Sequence, residues 1–386
     1  MVPPTRKLDK ESGGEWISTN IRPETFNLKS TLNSGQAFRW VEISETQEFV
    51  GIIEGRVWRL QQLTPDVSVS FHGKCATFQE LENFRLNGQL PSPLVSYFRL
   101  DSHFDDFFNS WINQDLLLRE FFHSSLSSED RNRFRGLRLL NQDPRETIFA
   151  SITSANNNVS RISKLLRALS IRYGKELWSS GRVSICSFPS LESLSHTRIE
   201  SELREIGFGY RSKFIPGVAS KLIAAGGDEF LKNLRNSSYE ECKSFLLQLP
   251  GVGNKVADCI CLSSLNKVEV VPVDIHILRA AVLRGIHPPT SSSSLTDRTY
   301  RHVSQRLSEL WQPYAGWAQV IVFSIHLHRQ STGAKLLKLN SSKRTEKGSE
   351  IEADQRRNRS SKLSSTSLSA DNSNVPVSRP KRNRIK

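Results

Sequence analysis

The run Leu249-Pro250-Gly251-Val252-Gly253-Asn254-Lys255-Val256-Ala257-Asp258-Cys259 constrains the fold of this chain more than any other stretch. Proline cannot continue a helix and glycine supplies a tight turn, so one helix must stop at Pro250 and another can start after Gly253. Upstream, Ser238-Tyr239-Glu240-Glu241 has the capping-box form and opens the apolar run Phe245, Leu246, Leu247, Leu249. The unit predicts helix, hairpin, helix. Gly251 and Gly253 let a phosphate come close to the backbone, and the N–H groups that open the second helix bind such an anion without reading sequence. The carbonyls of Leu247, Leu249 and Val252 also offer oxygens to a cation.

Lys255 falls in the first turn of the second helix, where a cation forgoes roughly 0.3–1 kcal/mol against the helix dipole. That field, together with burial, is expected to lower its pKa and favour the free amine, which is a nucleophile. An ordinary turn with a solvated lysine has the same spacing. The next constellation is Val271-Pro272-Val273-Asp274-Ile275-His276-Ile277-Leu278, in which Asp274 occupies an N-cap position before Ile277, Leu278 and Val282 at helical spacing. Capping alone accounts for an aspartate there. Paired with Lys255 across a cleft, the same carboxylate would stabilise the cationic sugar that forms as a glycosidic bond breaks.

Together these residues resemble the core of the 8-oxoguanine DNA glycosylase/AP lyases, within the helix-hairpin-helix glycosylase superfamily. Further motifs resemble the family in its order: Ser34-Gly35-Gln36-Ala37-Phe38-Arg39-Trp40, Asn156-Asn157-Asn158-Val159-Ser160-Arg161, Gly207-Phe208-Gly209-Tyr210-Arg211 and Pro313-Tyr314-Ala315-Gly316-Trp317-Ala318-Gln319. The resemblance spans about residues 15 to 330. It implies an enzyme that excises 8-oxoguanine opposite cytosine from duplex DNA and then cuts the abasic strand through a lysine Schiff base.

The resemblance also implies residue roles. Lys255 would attack and Asp274 would stabilise the sugar. The Gly35 carbonyl would accept from the N7–H that oxidation creates, Gln319 would bond the Watson–Crick edge, and Phe323 and Cys259 would face the two sides of the purine. Asn156, Arg161 and Arg211 would hold the orphaned cytosine, Tyr210 would wedge into the duplex, and Gly251, Gly253 and His276 would meet phosphates. Each has a plainer alternative: Gly35 and the Asn156–Asn158 run as turn or cap residues, and Tyr210, Phe323 and Cys259 as core packing. Two positions depart from the family pattern. Ser263 stands where a larger apolar residue is expected, and His326 where an acidic partner for His276 is expected.

A chain of 386 residues, 37% hydrophobic, can bury more than one core. Its charge of +14 is unevenly placed, since residues 331–386 carry 14 Lys and Arg against 5 Asp and Glu, a net +9. That segment has 12 serines and no aromatic residue, so it is expected to be a disordered basic tail. Its final cluster, Arg379-Pro380-Lys381-Arg382-Asn383-Arg384-Ile385-Lys386, suits nuclear import or added attraction to DNA. Neither a signal peptide nor a transmembrane run is visible. Cys75, Cys186, Cys242, Cys259 and Cys261 are scattered, with no zinc-type or iron–sulfur spacing, so reduced thiols and catalysis without a metal or other cofactor are expected.

Phe49–Ile53 and Val57–Leu60 flank a Glu54-Gly55-Arg56 turn, and Val67-Ser68-Val69-Ser70-Phe71 alternates as a half-buried strand does. After Phe134 the period becomes helical, through Ile148, Phe149, Ile152, then Val159, Ile162, Leu165, Leu166, Leu169, and later Ala318, Ile321, Val322, Ile325. The expected architecture is α+β: a flexible N-terminus (1–14), an antiparallel-sheet domain (15–133), a larger all-helical helix-hairpin-helix domain (134–330) and the tail (331–386). A monomer is expected. The rival readings are an alkylated-base glycosylase that uses water, and a non-catalytic DNA-binding module.

Overall fold

The computed structural model describes residues 7–8, 15–63, 68–124, 127–181, 183–288 and 295–328. The expected tail, most of the expected N-terminal segment and Val67 lie outside the described residues. The chain divides into two units, Met1–Leu327 and His328–Lys386, and the sheet, the helices and the cleft described below belong to the first.

The sheet is antiparallel and six-stranded. Glu48–Ile53 pairs with Arg56–Gln61 in the register Ile53↔Arg56, so the turn is the two residues Glu54-Gly55 and not three. Both turn residues have positive φ, 50° and 73°, the twist that a two-residue hairpin needs. The alternating run is strand only at Ser70–His72, which pairs with Arg56–Gln61 on one side and Glu15–Ser18 on the other. Lys7–Leu8, expected within the flexible N-terminus, adds an edge strand against Glu15–Ser18. Trp58, Phe71, Phe26, Phe98 and Leu140 fill the core under the sheet.

The helical part departs from all-helical, since Glu176–Ser180 and Val183–Cys186 form a two-stranded hairpin. It also holds two apolar clusters. One gathers Ile148, Phe149, Leu165, Leu166, Leu203 and Val218 with the hairpin residues Leu246, Leu249 and Val252. The other joins Phe104, Trp111, Phe121 and Phe134 to Val271, Ile277, Trp311, Trp317 and Ile321. Residues 104–134, grouped by sequence with the sheet, thus share a core with residues 262–325. Helical periodicity marks an apolar face but does not say which distant face will cover it.

Helix Asn254–Ser264 serves both clusters, giving Val256, Ala257, Ile260 and Cys261 to the first and Leu262 to the second. A helix covering residues 315–328 packs on it closely at Gly316. A Cβ built on Gly316 would lie 2.2 Å from Leu262 Cδ1 and 2.5 Å from the Val270 carbonyl oxygen. Backbone cannot yield as a side-chain tip can. Gly316→Ala is therefore expected to destabilise the protein by about 1–3 kcal/mol, read as a lower denaturation midpoint.

Candidate active site and nucleic-acid interface

Helix Tyr239–Leu246 starts at Ser238 with a complete capping box, in which Ser238 accepts from Glu241 N and the Glu241 carboxylate accepts from Ser238 N. It ends at Leu247. Gly251 has φ 79°, and a Cβ there would lie 2.5 Å from the Phe214 ring, so the fold itself requires glycine. Gly253 is different. It is the N-cap of Asn254–Ser264 at φ −105°, and nothing lies within 4 Å of a Cβ built on it. The fold does not require glycine at this exposed position, while a ligand approaching the helix start would. Of the three carbonyls suggested for a cation, that of Leu249 already accepts from Val252 N at 3.2 Å.

Lys255 lies in the first turn of that helix and lines a pocket with Asp274, Cys259, Ser263, Gly35, Gln319 and Phe323. Asp274 is the N-cap of Ile275–Leu283, its Oδ1 accepting from His276 N and Ile277 N at 2.9 Å each. Capping and a place in the pocket are therefore not alternatives, because one oxygen caps while the carboxylate faces the cleft. Gln319 is 8% exposed, and its amide makes no hydrogen bond among the described residues.

The expected depression of the Lys255 pKa is reversed. The Cys259 sulfur, one helical turn on, and the Asp274 carboxylate raise it against the opposing effect of burial. Burial in turn pushes the Cys259 thiol up. The Cys259 sulfur lies one turn along the same run, but Asp274 comes from a separate helix start 19 residues on, and together they outweigh desolvation. These influences favour the ammonium form of Lys255.

One pocket wall comes from the Ser34–Phe38 segment that leads from helix Leu28–Leu32 towards the sheet. Gly35 has φ 84°, and its loop is clamped by two glutamines. The Gln36 side chain donates to Ser34 Oγ and the Arg138 carbonyl at 2.9 Å and accepts from Leu140 N at 3.0 Å. The Gln142 side chain donates to the Gln36 carbonyl at 2.9 Å, while its backbone N–H donates to the Ser263 carbonyl at 2.8 Å. This clamp was not foreseen. Gln36 stood inside a quoted motif, but Gln142 gives no local signal.

Asn156, Arg211, Tyr210 and Gly251, all assigned to DNA, form one connected rim, from which His276 stands apart. Asn156 has φ 50°, and Asn158 caps helix Val159–Tyr173 by accepting from Arg161 N. Arg211 is 4% exposed and donates from Nε to the Ala155 carbonyl at 3.0 Å and from Nη2 to the Asn156 carbonyl at 2.8 Å. The same guanidinium sits 4.5 Å over the Tyr210 ring, which meets Phe214 edge-on at 6.1 Å, and Phe214 abuts Gly251. Much of Arg211's hydrogen-bonding capacity thus holds the Asn156 loop, whereas Arg161 remains exposed with one bond to the Gly207 carbonyl at 3.1 Å. Tyr210 is 49% exposed. His276 meets the edge of Phe323 at 5.4 Å, and its buried Nδ1 has no hydrogen-bond partner among the described residues.

An amine and a carboxylate share one pocket beside a glycine hairpin and a rim of arginine and exposed tyrosine, and the relatives of the chain give the class, DNA N-glycosylases. The fold is that of a Clostridium acetobutylicum 8-oxoguanine glycosylase/lyase solved with duplex DNA containing cytosine opposite 8-oxoguanine (TM-score 0.66, 24% identity, covering 86% of this chain and 100% of that one). Residues 18–148 match the family model for the 8-oxoguanine DNA glycosylase N-terminal domain. The N-glycosylase/DNA lyase OGG1 of Arabidopsis thaliana is 32% identical over 85% of this chain and 84% of its own length. The N-glycosylase/DNA lyase of Saccharomyces cerevisiae is 30% identical over 77% and 82%. The chain belongs to this N-glycosylase/DNA lyase family.

The pKa direction gives a signed expectation. With the ammonium favoured at neutral pH, single-turnover strand cleavage should rise with pH and still be rising at about pH 9. Cys259→Ala removes the first cause of the raised pKa, so its profile should move to lower pH. An unmoved profile would show that Cys259 does not set the proton affinity of Lys255.

Proposed function

We propose that Lys255 is the nucleophile with which the chain, a DNA N-glycosylase and lyase, removes 8-oxoguanine lying opposite cytosine in duplex DNA. The placement of Lys255 and Asp274 in one pocket with Gly35, Gln319 and Phe323 carries this reading. The target nucleotide must leave the stack to reach such a pocket, at a cost of a few kcal/mol. The exposed Tyr210 would fill the gap, and the exposed Arg161 would donate to the acceptors of the unpaired cytosine. Arg211 contributes by holding the Asn156 loop in shape.

In the pocket, the Gly35 carbonyl accepts from N7–H of the oxidised base, where unmodified guanine presents only another acceptor. The Lys255 amine, having lost a proton, forms a bond to C1′ as the C1′–N bond breaks and its electron pair leaves with the base. Asp274 stabilises the positive charge that develops on the sugar. The sugar–lysine adduct opens to an imine, which acidifies C2′–H. Loss of that proton expels the 3′ phosphate and cuts the strand. A water-using alkylated-base enzyme would have no need of Lys255 in the pocket, and a non-catalytic module would form no covalent adduct. The Arg379–Lys386 cluster and the +9 tail support a nuclear location and added attraction to DNA.

Borohydride trapping on duplex DNA with 8-oxoguanine opposite cytosine is the direct test. Lys255→Gln should abolish excision and trapping while leaving DNA affinity largely intact. Normal excision by that variant would overturn the mechanism. Asp274→Asn keeps a cap-competent side chain, so it should lose most of its rate with little loss of stability, measured by single-turnover kinetics and thermal unfolding. Arg161→Ala should weaken the preference for cytosine over adenine opposite the lesion, by about 1–3 kcal/mol for a lost bidentate contact. A uniform loss across opposite bases would make Arg161 a phosphate contact.

A further inference from the structure

Asp258 is wholly buried one turn beyond Lys255 and has no part in the pocket. Its carboxylate accepts from Tyr239 Oη at 2.8 Å and from Tyr300 Oη at 2.6 Å, and it pairs with Lys243 Nζ at 3.0 Å. Tyr239 and Lys243 stand on the first hairpin helix, and Tyr300 on helix Asp297–Leu310. A carboxylate so enclosed ties three helices to one point.

Helix Asp297–Leu310 also runs along the segment that delivers Asp274. Ser308 Oγ donates to the Glu269 carbonyl at 2.7 Å, and Ser304 Oγ donates to the Val271 carbonyl at 2.8 Å. Tyr300 Oη accepts from Val273 N at 3.4 Å. Hydroxyls at every fourth helical position therefore meet alternate residues of the segment. The match is geometric, since four residues of helix rise about 6.0 Å and two residues of extended chain span about 6.6 Å. The last rung, Tyr300, touches both the residue before Asp274 and the carboxylate on the Lys255 helix.

We propose that Tyr300 is a positioning residue, whose hydroxyl, held by Asp258 and bonded to Val273, sets where Asp274 stands relative to Lys255. The inference rests on the lysine–aspartate reading of the site. Tyr300 is 4% exposed and is not among the residues lining the pocket, so it acts through the backbone and side chains it holds, Val273 next to Asp274 foremost.

Tyr300→Phe keeps the buried ring and removes only the hydroxyl. At a temperature where thermal unfolding shows the variant folded, trapping on 8-oxoguanine:cytosine duplex should slow about tenfold, with the duplex dissociation constant within about twofold of wild type. In an Asp274→Asn background the same change should cost little further rate, because the group it positions is already lost. An unchanged rate in folded Tyr300→Phe would overturn the proposal. So would a full tenfold loss on top of Asp274→Asn, which would mean an effect that does not pass through Asp274. Wild-type trapping, absent in Lys255→Gln, is read alongside as the separate check on the enzyme's chemistry.

Discussion

The structure turns on the burial of helix Asn254–Ser264 between two apolar clusters while its first turn stays open to a cleft. A helix start needs partners for its N–H groups, and here no side chain caps it. Anchoring the remainder of the helix in both cores makes an unsatisfied end tolerable and fixes the direction in which Lys255 projects. The hairpin and the helix at 315–328 both pack against this one element.

Lys255 sits where backbone dipoles oppose its charge, yet its neighbours favour the ammonium. The pocket thus favours the protonated form of this amine. Asp274 both caps Ile275–Leu283 and lines the pocket.

Local rules made the hairpin, the capping box at Ser238, the Asp274 cap and the helical stripes legible, because each depends on residues within a turn or two of one another. Gly35, Cys259, Gln319 and Phe323 were drawn from motif resemblance, and one cleft receives all four. What escaped depends on distant partners. The Gln36–Gln142 clamp joins positions 106 apart, and the hydroxyls of helix Asp297–Leu310 act on a segment 27 to 39 residues away. Arg211 shows the same limit in another form: its sequence position marks it as a donor, but only the fold reveals that backbone carbonyls already occupy much of its guanidinium.

The two glutamines at the seam have one more implication. Gly35 belongs to a loop at the edge of the sheet's core, whereas Lys255 belongs to the helical cores, and the clamp is what registers one against the other. With the roles proposed for Gly35 and Lys255, discrimination and reactivity would be mechanically separable. Were the seam to loosen while the helices held, the amine would stay in place while the carbonyl proposed to tell one purine from another drifted, so fidelity would fail before chemistry did.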